Sequence, residues 1–185
     1  MKIFVETDRL ILREILPSDA DGFFELDSDP DVHKYLGNKP VTSISQVKEV
    51  IQLVRQQYID NGIGRWAVVE KCSNSFIGWA GLKYVREATN NHINYYDLGY
   101  RLIKKYWAKG FATESAIASL NYGFENLNLS DLYAIAHQEN NASNRILSKV
   151  GFHLSGTFMY DNSLHNWYKL TKRDWVKKNN QFISH

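Results

Sequence analysis

Gly110 sits where a β-rich run gives way to a helical one, within Trp107-Ala108-Lys109-Gly110-Phe111-Ala112. A helix start of that kind leaves backbone N–H groups unpaired and carries the positive end of the helix dipole. An anion placed there, phosphate above all, collects hydrogen bonds without needing a charged side chain. Glycine lets the backbone approach closely, Ala112 keeps the next contact small, and Lys104, Lys105 and Lys109 add positive charge around the turn. Taken alone, the six residues read more simply as an ordinary helix start beside a solvated lysine cluster.

A second stretch, Asn140-Asn141-Ala142-Ser143-Asn144-Arg145-Ile146-Leu147-Ser148-Lys149-Val150-Gly151-Phe152, is a capped amphipathic helix whatever else it does. Asn140 or Asn141 is the cap, Ile146, Leu147 and Val150 form the buried stripe, and Gly151 is the stop. Other chemistry-bearing residues point nowhere. Asp27-Ser28-Asp29-Pro30-Asp31 begins like a calcium loop, but its sixth position is Val32 and its twelfth Asn38, where glycine and glutamate are required. His33, His92, His137, His153, His165 and His185 show no i, i+4 pairing, so no metal site is expected. Cys72 falls in a turn with nothing adjacent to lower its pKa.

The elements that must position these residues follow from periodicity. Residues 10–14 read as a strand, and Pro17-Ser18-Asp19 as a helix start with Ser18 as cap. Residues 27–42 are polar and irregular. A second helix begins near Ser43 or Ser45, repeats Val47, Val50, Ile51, Val54 and Tyr58 at helical spacing, and stops at Asn61-Gly62. Residues 65–70 and 76–85 form a hairpin around Lys71-Cys72-Ser73-Asn74-Ser75, and residues 93–103 another strand. The Gly110 helix carries Ala116, Ile117, Leu120, Phe124 and Leu127 on one face. Residues 131–136 are a short buried strand, 142–150 a helix, and 152–160 and 165–170 the closing strands. That gives about seven strands and four helices in one α+β domain spanning residues 1–185, with Trp66 and Trp79 expected in its core.

Composition bounds the rest. The chain is 44% hydrophobic with a net charge of +2, which argues against disorder and against a nucleic-acid binder with its clustered basic surplus. One cysteine excludes an internal disulfide and a thiolate metal cluster. The charged N-terminus does not resemble a signal peptide, and no window reaches the ~18 apolar residues of a membrane span. A cytoplasmic protein, with no membrane association, is expected; a homodimer is left open.

Asp97-Leu98-Gly99-Tyr100-Arg101-Leu102, followed by residues 106–114, resembles the acetyl-coenzyme A motif of the GNAT acetyltransferase superfamily. Its branch containing the ribosomal-protein alanine N-acetyltransferases is the more similar. Trp107 stands first in the motif, as that branch often has it; Ala108 stands where glycine is common. Glu6-Thr7-Asp8-Arg9-Leu10-Ile11-Leu12-Arg13 is similar to the family's opening strand. The resemblance runs from about residue 6 to 175. It implies a mixed, mostly antiparallel sheet splayed at its centre, with the strand at residue 131 diverging from the one before it. It further implies that Ala108, Lys109, Gly110, Phe111, Ala112 and Thr113 cradle the pyrophosphate of acetyl-coenzyme A. The pantetheine arm would pair with backbone at Tyr100, Arg101 and Leu102, as an added strand does, and Asn140 and Ser143 would also touch the coenzyme.

Transfer of acetyl from the thioester needs a neutral amine, a positioned carbonyl and a stabilised thiolate. Leu147 occupies the place where many superfamily members have a tyrosine acid. The branch resembled has a serine at Ser143 instead, which implies that this hydroxyl meets the leaving thiolate. Asp97 is the candidate base, directly or through water; a surface carboxylate is the equal alternative. The acceptor is expected to be a primary amine, either a protein N-terminus or a small amine such as a polyamine or amino sugar. A non-catalytic acyl-coenzyme A sensor using the same turn is the rival reading.

Overall fold

Leu10 and Leu12 are sealed while Ile11 and Arg13 stay half-buried, and the same alternation runs through Leu132, Ala134 and Ala136. A period of two makes a strand that buries one face. The computed structural model describes residues 1–183, in which such runs assemble into one eight-stranded sheet. The strands are β1 (Ile3–Glu6), β2 (Leu10–Arg13), β3 (Trp66–Glu70), β4 (Ser75–Val85), β5 (Tyr95–Leu102), β6 (Asp131–His137), β7 (His153–Tyr160) and β8 (Ser163–Thr171), ordered β1-β2-β3-β4-β5-β6-β8-β7. Every neighbouring pair is antiparallel except β5 and β6.

That parallel pair is joined at a single position, Asp97 opposite Tyr133. Beyond it the two strands diverge, leaving the last turns of β5 and β6 as the arms of a V. The expected splay is therefore present, just past residue 131.

The helices are α1 (Ala20–Asp27), α2 (Pro30–His33), α3 (Ile44–Asn61), α4 (Phe111–Asn121), α5 (Asn141–Val150) and α6 (Lys172–Ile183). One sheet face packs α4 and α5 through Leu82, Leu98, Leu120, Phe124, Leu132 and Leu147. The other packs α1 and α3 through Ile15, Phe23, Val47 and Ile51. Each such side chain, sealed from water, contributes about 1.5–3 kcal/mol before chain entropy is charged against it. Gly62 and Gly151 end α3 and α5 in the left-handed conformation, as their positions in the sequence require. No helix among the described residues is long and apolar enough to cross a membrane.

The structure corrects the sequence reading in four places. There are eight strands, not seven, because Ile3–Glu6 pairs with β2. The described residues form six α-helices, not four: Pro30–His33 is a single turn capped by Asp29, and α6 follows β8 directly. Ser18 is not a cap; the Asp19 carboxylate accepts from the Leu16 N–H at 2.8 Å and from Arg13 at 2.7 Å. Of the two tryptophans, Trp66 is fully buried, whereas Trp79 is half-buried beneath the guanidinium groups of Arg65 and Arg101.

Candidate active site

The chain leaves β5 at Leu102, makes one tight turn over Lys104–Tyr106 and reaches α4 through Trp107, Ala108, Lys109 and Gly110. Gly110 is left-handed at φ 83°, and so is Ala108 at φ 58°. Ala108 therefore occupies a conformation suited to glycine, which costs an L-residue roughly 1–2 kcal/mol. The turn ends with six consecutive backbone N–H groups, residues 108–113, that donate to no acceptor among the described residues. All six of those residues precede or open α4, where the helix dipole is positive.

The turn is held from outside by a segment a hundred residues away. Thr7 Oγ1 donates to Glu114 Oε1 at 2.6 Å, and Arg9 Nε donates to Glu114 Oε2 at 2.7 Å. Arg9 also donates to the Lys109 carbonyl at 3.1 Å, and its guanidinium lies 4.5 Å from the centre of the Phe111 ring. Burial pushes the Glu114 carboxyl up, but the hydrogen bonds from Thr7 and Arg9 and the Arg9 charge outweigh it and hold the group below the usual glutamate range. On the β5 side, Trp107 Nε1 donates to the Leu102 carbonyl at 2.7 Å. That bond gives Trp107 its role and occupies one of the backbone acceptors expected to pair with pantetheine.

Across the V, the Tyr100 hydroxyl reaches α5. It lies 3.1 Å from Ser143 Oγ and donates to the Ser143 carbonyl at 3.2 Å. Burial pushes the Tyr100 phenol well above its ordinary range, with the Ser143 hydrogen bond opposing less strongly, so it stays protonated near neutral pH. Sequence reasoning valued Tyr100 only for its backbone and missed this hydroxyl. Asn140, not Asn141, is the cap: its Oδ1 accepts from the Ser143 N–H at 3.1 Å. Asn144 ties α5 to the sheet, donating from Nδ2 to the carbonyls of His137, Gln138 and Asn140 and accepting at Oδ1 from Asn166 and Tyr168.

Asp97 does not have the surroundings of a free base. Its carboxylate is ion-paired with Arg65, and the two side chains are only 15 and 12% exposed. Arg65 also donates to the Asp97 carbonyl at 2.6 Å and to the Gly81 carbonyl. Gly99 makes the room: a β-carbon there would meet Arg65 Nη2 at 2.6 Å. Burial raises the Asp97 carboxyl and Arg65 lowers it, burial being the larger effect. The pair sits at the foot of the V, where β5 and β6 still touch.

The lysines also differ from expectation. Lys104 is ion-paired with Asp31, and Lys105 with Glu25 at 2.7 Å. Lys109 instead lies over the Tyr106 ring at 5.2 Å. Asp27 takes Arg101 at 2.7 Å, and Asp29 is spent capping α2. The acidic loop is thus engaged with the basic residues of β5 and the turn that follows.

A family model described as an acetyltransferase (GNAT) domain matches residues 9–153. The chain is 34% identical over 161 residues to the Bacillus subtilis (strain 168) protein described as the uncharacterized N-acetyltransferase YoaA, covering 85% of this chain and 89% of that one. Among solved structures, a GNAT-family acetyltransferase from Bacillus anthracis superposes with a TM-score of 0.76 at 25% identity, covering 94% of this chain and 99% of that one. A spermidine N-acetyltransferase from Vibrio cholerae, in complex with CoA and spermine, shares the fold with a TM-score of 0.73 at 20% identity, over 92% of this chain and 99% of that one. With a glycine turn presenting its unpaired N–H groups at the head of α4 and a sheet split beside it, the chain belongs to the GNAT family of acetyltransferases, enzymes whose acetyl donor is acetyl-coenzyme A.

Proposed function

We propose that this enzyme moves the acetyl group of acetyl-coenzyme A directly to a primary amine, with both substrates bound together. The observation that carries the proposal is the run of six unpaired N–H groups at residues 108–113. Ala108, Lys109, Gly110, Phe111, Ala112 and Thr113 would hold the pyrophosphate there, where backbone donors and the helix dipole act together. The open edge of β5 at Tyr100 and Arg101 offers backbone pairing to the pantetheine arm, with Leu102 contributing less because its carbonyl is taken. Asn140 and Ser143 then lie at the far end of the V, at the start of α5.

In this reading the amine nitrogen forms a bond to the acetyl carbon and the carbon–sulfur bond breaks. The sulfur leaves with the electron pair and takes a proton from the linked hydroxyls of Ser143 and Tyr100. The Tyr100 phenol, which burial keeps protonated, stays hydrogen-bonded to the serine and holds its hydroxyl in place for that step. Asp97 supports the foot of the V through Arg65 rather than taking a proton.

The engaged state of Asp27, Asp29 and Asp31 favours an acceptor with a single amine, such as a protein N-terminus or a small monoamine, over a polyamine held by that loop. The test is thiol release from acetyl-coenzyme A over a panel of spermidine, benzylamine, glucosamine and peptides beginning with Ala or Ser. Free thiol in proportion to added amine supports transfer. Coenzyme binding without thiol release from any of them overturns it in favour of a sensor.

A further inference from the structure

The amine must lose a proton, and the group first suited to take it by sequence is tied to Arg65. The open side of the V carries another. By strand alternation Tyr95 and Arg101 of β5, Tyr133 and His137 of β6, and His165 and Trp167 of β8 share the face opposite α4 and α5; the ring contacts among Tyr95, Tyr133 and Trp167 bear this out. His137 ends β6, four residues past the Asp97–Tyr133 junction, and His165 is its direct cross-strand partner. Their ring centres are 5.2 Å apart.

Both histidines flank the start of α5. The His137 carbonyl accepts from Asn144 Nδ2 at 3.1 Å, and Asn166, next to His165, donates to Asn144 Oδ1 at 2.9 Å. Asn144 follows Ser143 directly. The pair is therefore anchored to the residue beside the proposed proton donor.

Hydrogen bonding assigns the tautomers. The Glu139 N–H donates to His137 Nδ1 at 3.1 Å, so a neutral His137 carries its proton on Nε2. His165 Nδ1 faces the Ser163 carbonyl at 3.2 Å. A carbonyl can only accept, so Nδ1 carries the proton and the lone pair of His165 lies on Nε2. That nitrogen has no hydrogen-bonding partner among the described residues, and it is not sealed. Both ring nitrogens of His33, by contrast, are sealed without a hydrogen-bond partner, Nε2 facing Asp27 Oδ1 at 3.7 Å, and cannot meet a substrate as the structure stands.

We propose, resting on the amine-transfer reading above, that His165 Nε2 takes the proton from the acceptor ammonium and that His137 positions its ring. The ammonium gives one proton to Nε2, making imidazolium, and the freed nitrogen lone pair forms the bond to the acetyl carbon. The second nitrogen proton, lost as the amide forms, replaces the one that the Ser143 and Tyr100 hydroxyls give the sulfur, and the imidazolium releases the first to solvent, so ammonium and thioester give amide, thiol and one proton. The charged and titratable groups facing His165 are His137 from β6, Tyr160 from β7 and Asp161 at the hairpin tip; Tyr35 reaches it only through His137. Burial is the largest influence on the imidazole and lowers its pKa, keeping it neutral and able to accept.

The experiment compares wild type, His165→Gln and His137→Gln with benzylamine, spermidine and an alanine-initiated peptide as probes, measuring kcat/KM against pH together with acetyl-coenzyme A affinity. His165→Gln should lower kcat by about 10²-fold, leave coenzyme affinity unchanged and abolish the low-pH limb of the profile. His137→Gln should shift that limb without removing it. Because His165 is buried, its variant can misfold; nitrogen NMR of the wild-type imidazole provides a second reading. The proton should be found on Nδ1, and the ring should titrate at the pH of the kinetic limb. A wild-type profile retained in His165→Gln, or a proton found on Nε2, overturns the assignment alone. If wild type binds coenzyme A but releases no thiol with any probe, the transfer reading falls and this one with it.

Discussion

Replacing Asp97 with Asn separates a supporting carboxylate from a catalytic one. The substitution keeps the shape and removes the charge facing Arg65, whose side chain is 12% exposed. Removing one partner of a buried pair costs about 3–5 kcal/mol, because the other charge remains buried. Arg65 keeps two carbonyl acceptors, those of Asp97 and Gly81, and asparagine still offers an oxygen. The low end of that range, about 3 kcal/mol, is therefore expected. For a domain of this size that corresponds to a fall of roughly 6–12 °C in Tm. Urea denaturation and thermal melting measure it, and a double-mutant cycle with Arg65→Met should give a large coupling energy. Activity should fall by one factor at every pH, since the loss comes from a loosened strand end. An unchanged Tm with a loss of kcat/KM confined to low pH would refute this and return Asp97 to the role of base.

Four further outcomes follow from the same geometry. Gly110→Val forces a β-branched residue into a left-handed position and should weaken acetyl-coenzyme A binding at least about tenfold, ~1.4 kcal/mol, by calorimetry. Ala108→Gly relieves the other left-handed residue and should raise stability by about 0.5–1 kcal/mol; a lower urea midpoint would show that the Ala108 methyl packs usefully. Ser143→Ala should lower kcat by about 10²-fold while coenzyme affinity holds, and a loss confined to affinity would make Ser143 a binding residue. Glu114 has a depressed pKa in the folded state, so its contribution is complete above the ordinary glutamate value of about 4.3 and is lost as pH falls through its lower folded value; coenzyme affinity should weaken across that acid window in wild type but not in Glu114→Gln.

What could be read from the sequence was local. Gly62, Gly110 and Gly151 announce a backbone conformation by residue type, and strict alternation in β2 and β6 announces a buried face. The elements missed lack those signals: β1 is four residues long, and α6 is dominated by lysine and asparagine, with Trp175 the deeply buried anchor among its described side chains. The site was half legible for the same reason. The turn is a contiguous motif, but its clamp joins Arg9 to Glu114, its hydroxyl pair joins Tyr100 to Ser143, and its foot joins Arg65 to Asp97. None of these partnerships has a periodicity. The one available hint was Gly99, whose missing side chain leaves space for Arg65, and that space is visible only once β4 and β5 are in register.

The single rung between β5 and β6 also divides the sheet mechanically. Five strands lie on one side of it and three on the other, each block laddered within itself. Opening between the blocks breaks few backbone bonds, so amides at the seam should exchange with solvent far sooner than those of β3 or β8. A molecule that pairs with the free edge of β5 would add the rungs the sheet lacks. It would slow exchange at the seam and raise the melting temperature in proportion to the logarithm of its concentration once that exceeds Kd. The resting fold would thus act as a calorimetric gauge of how much coenzyme surrounds it.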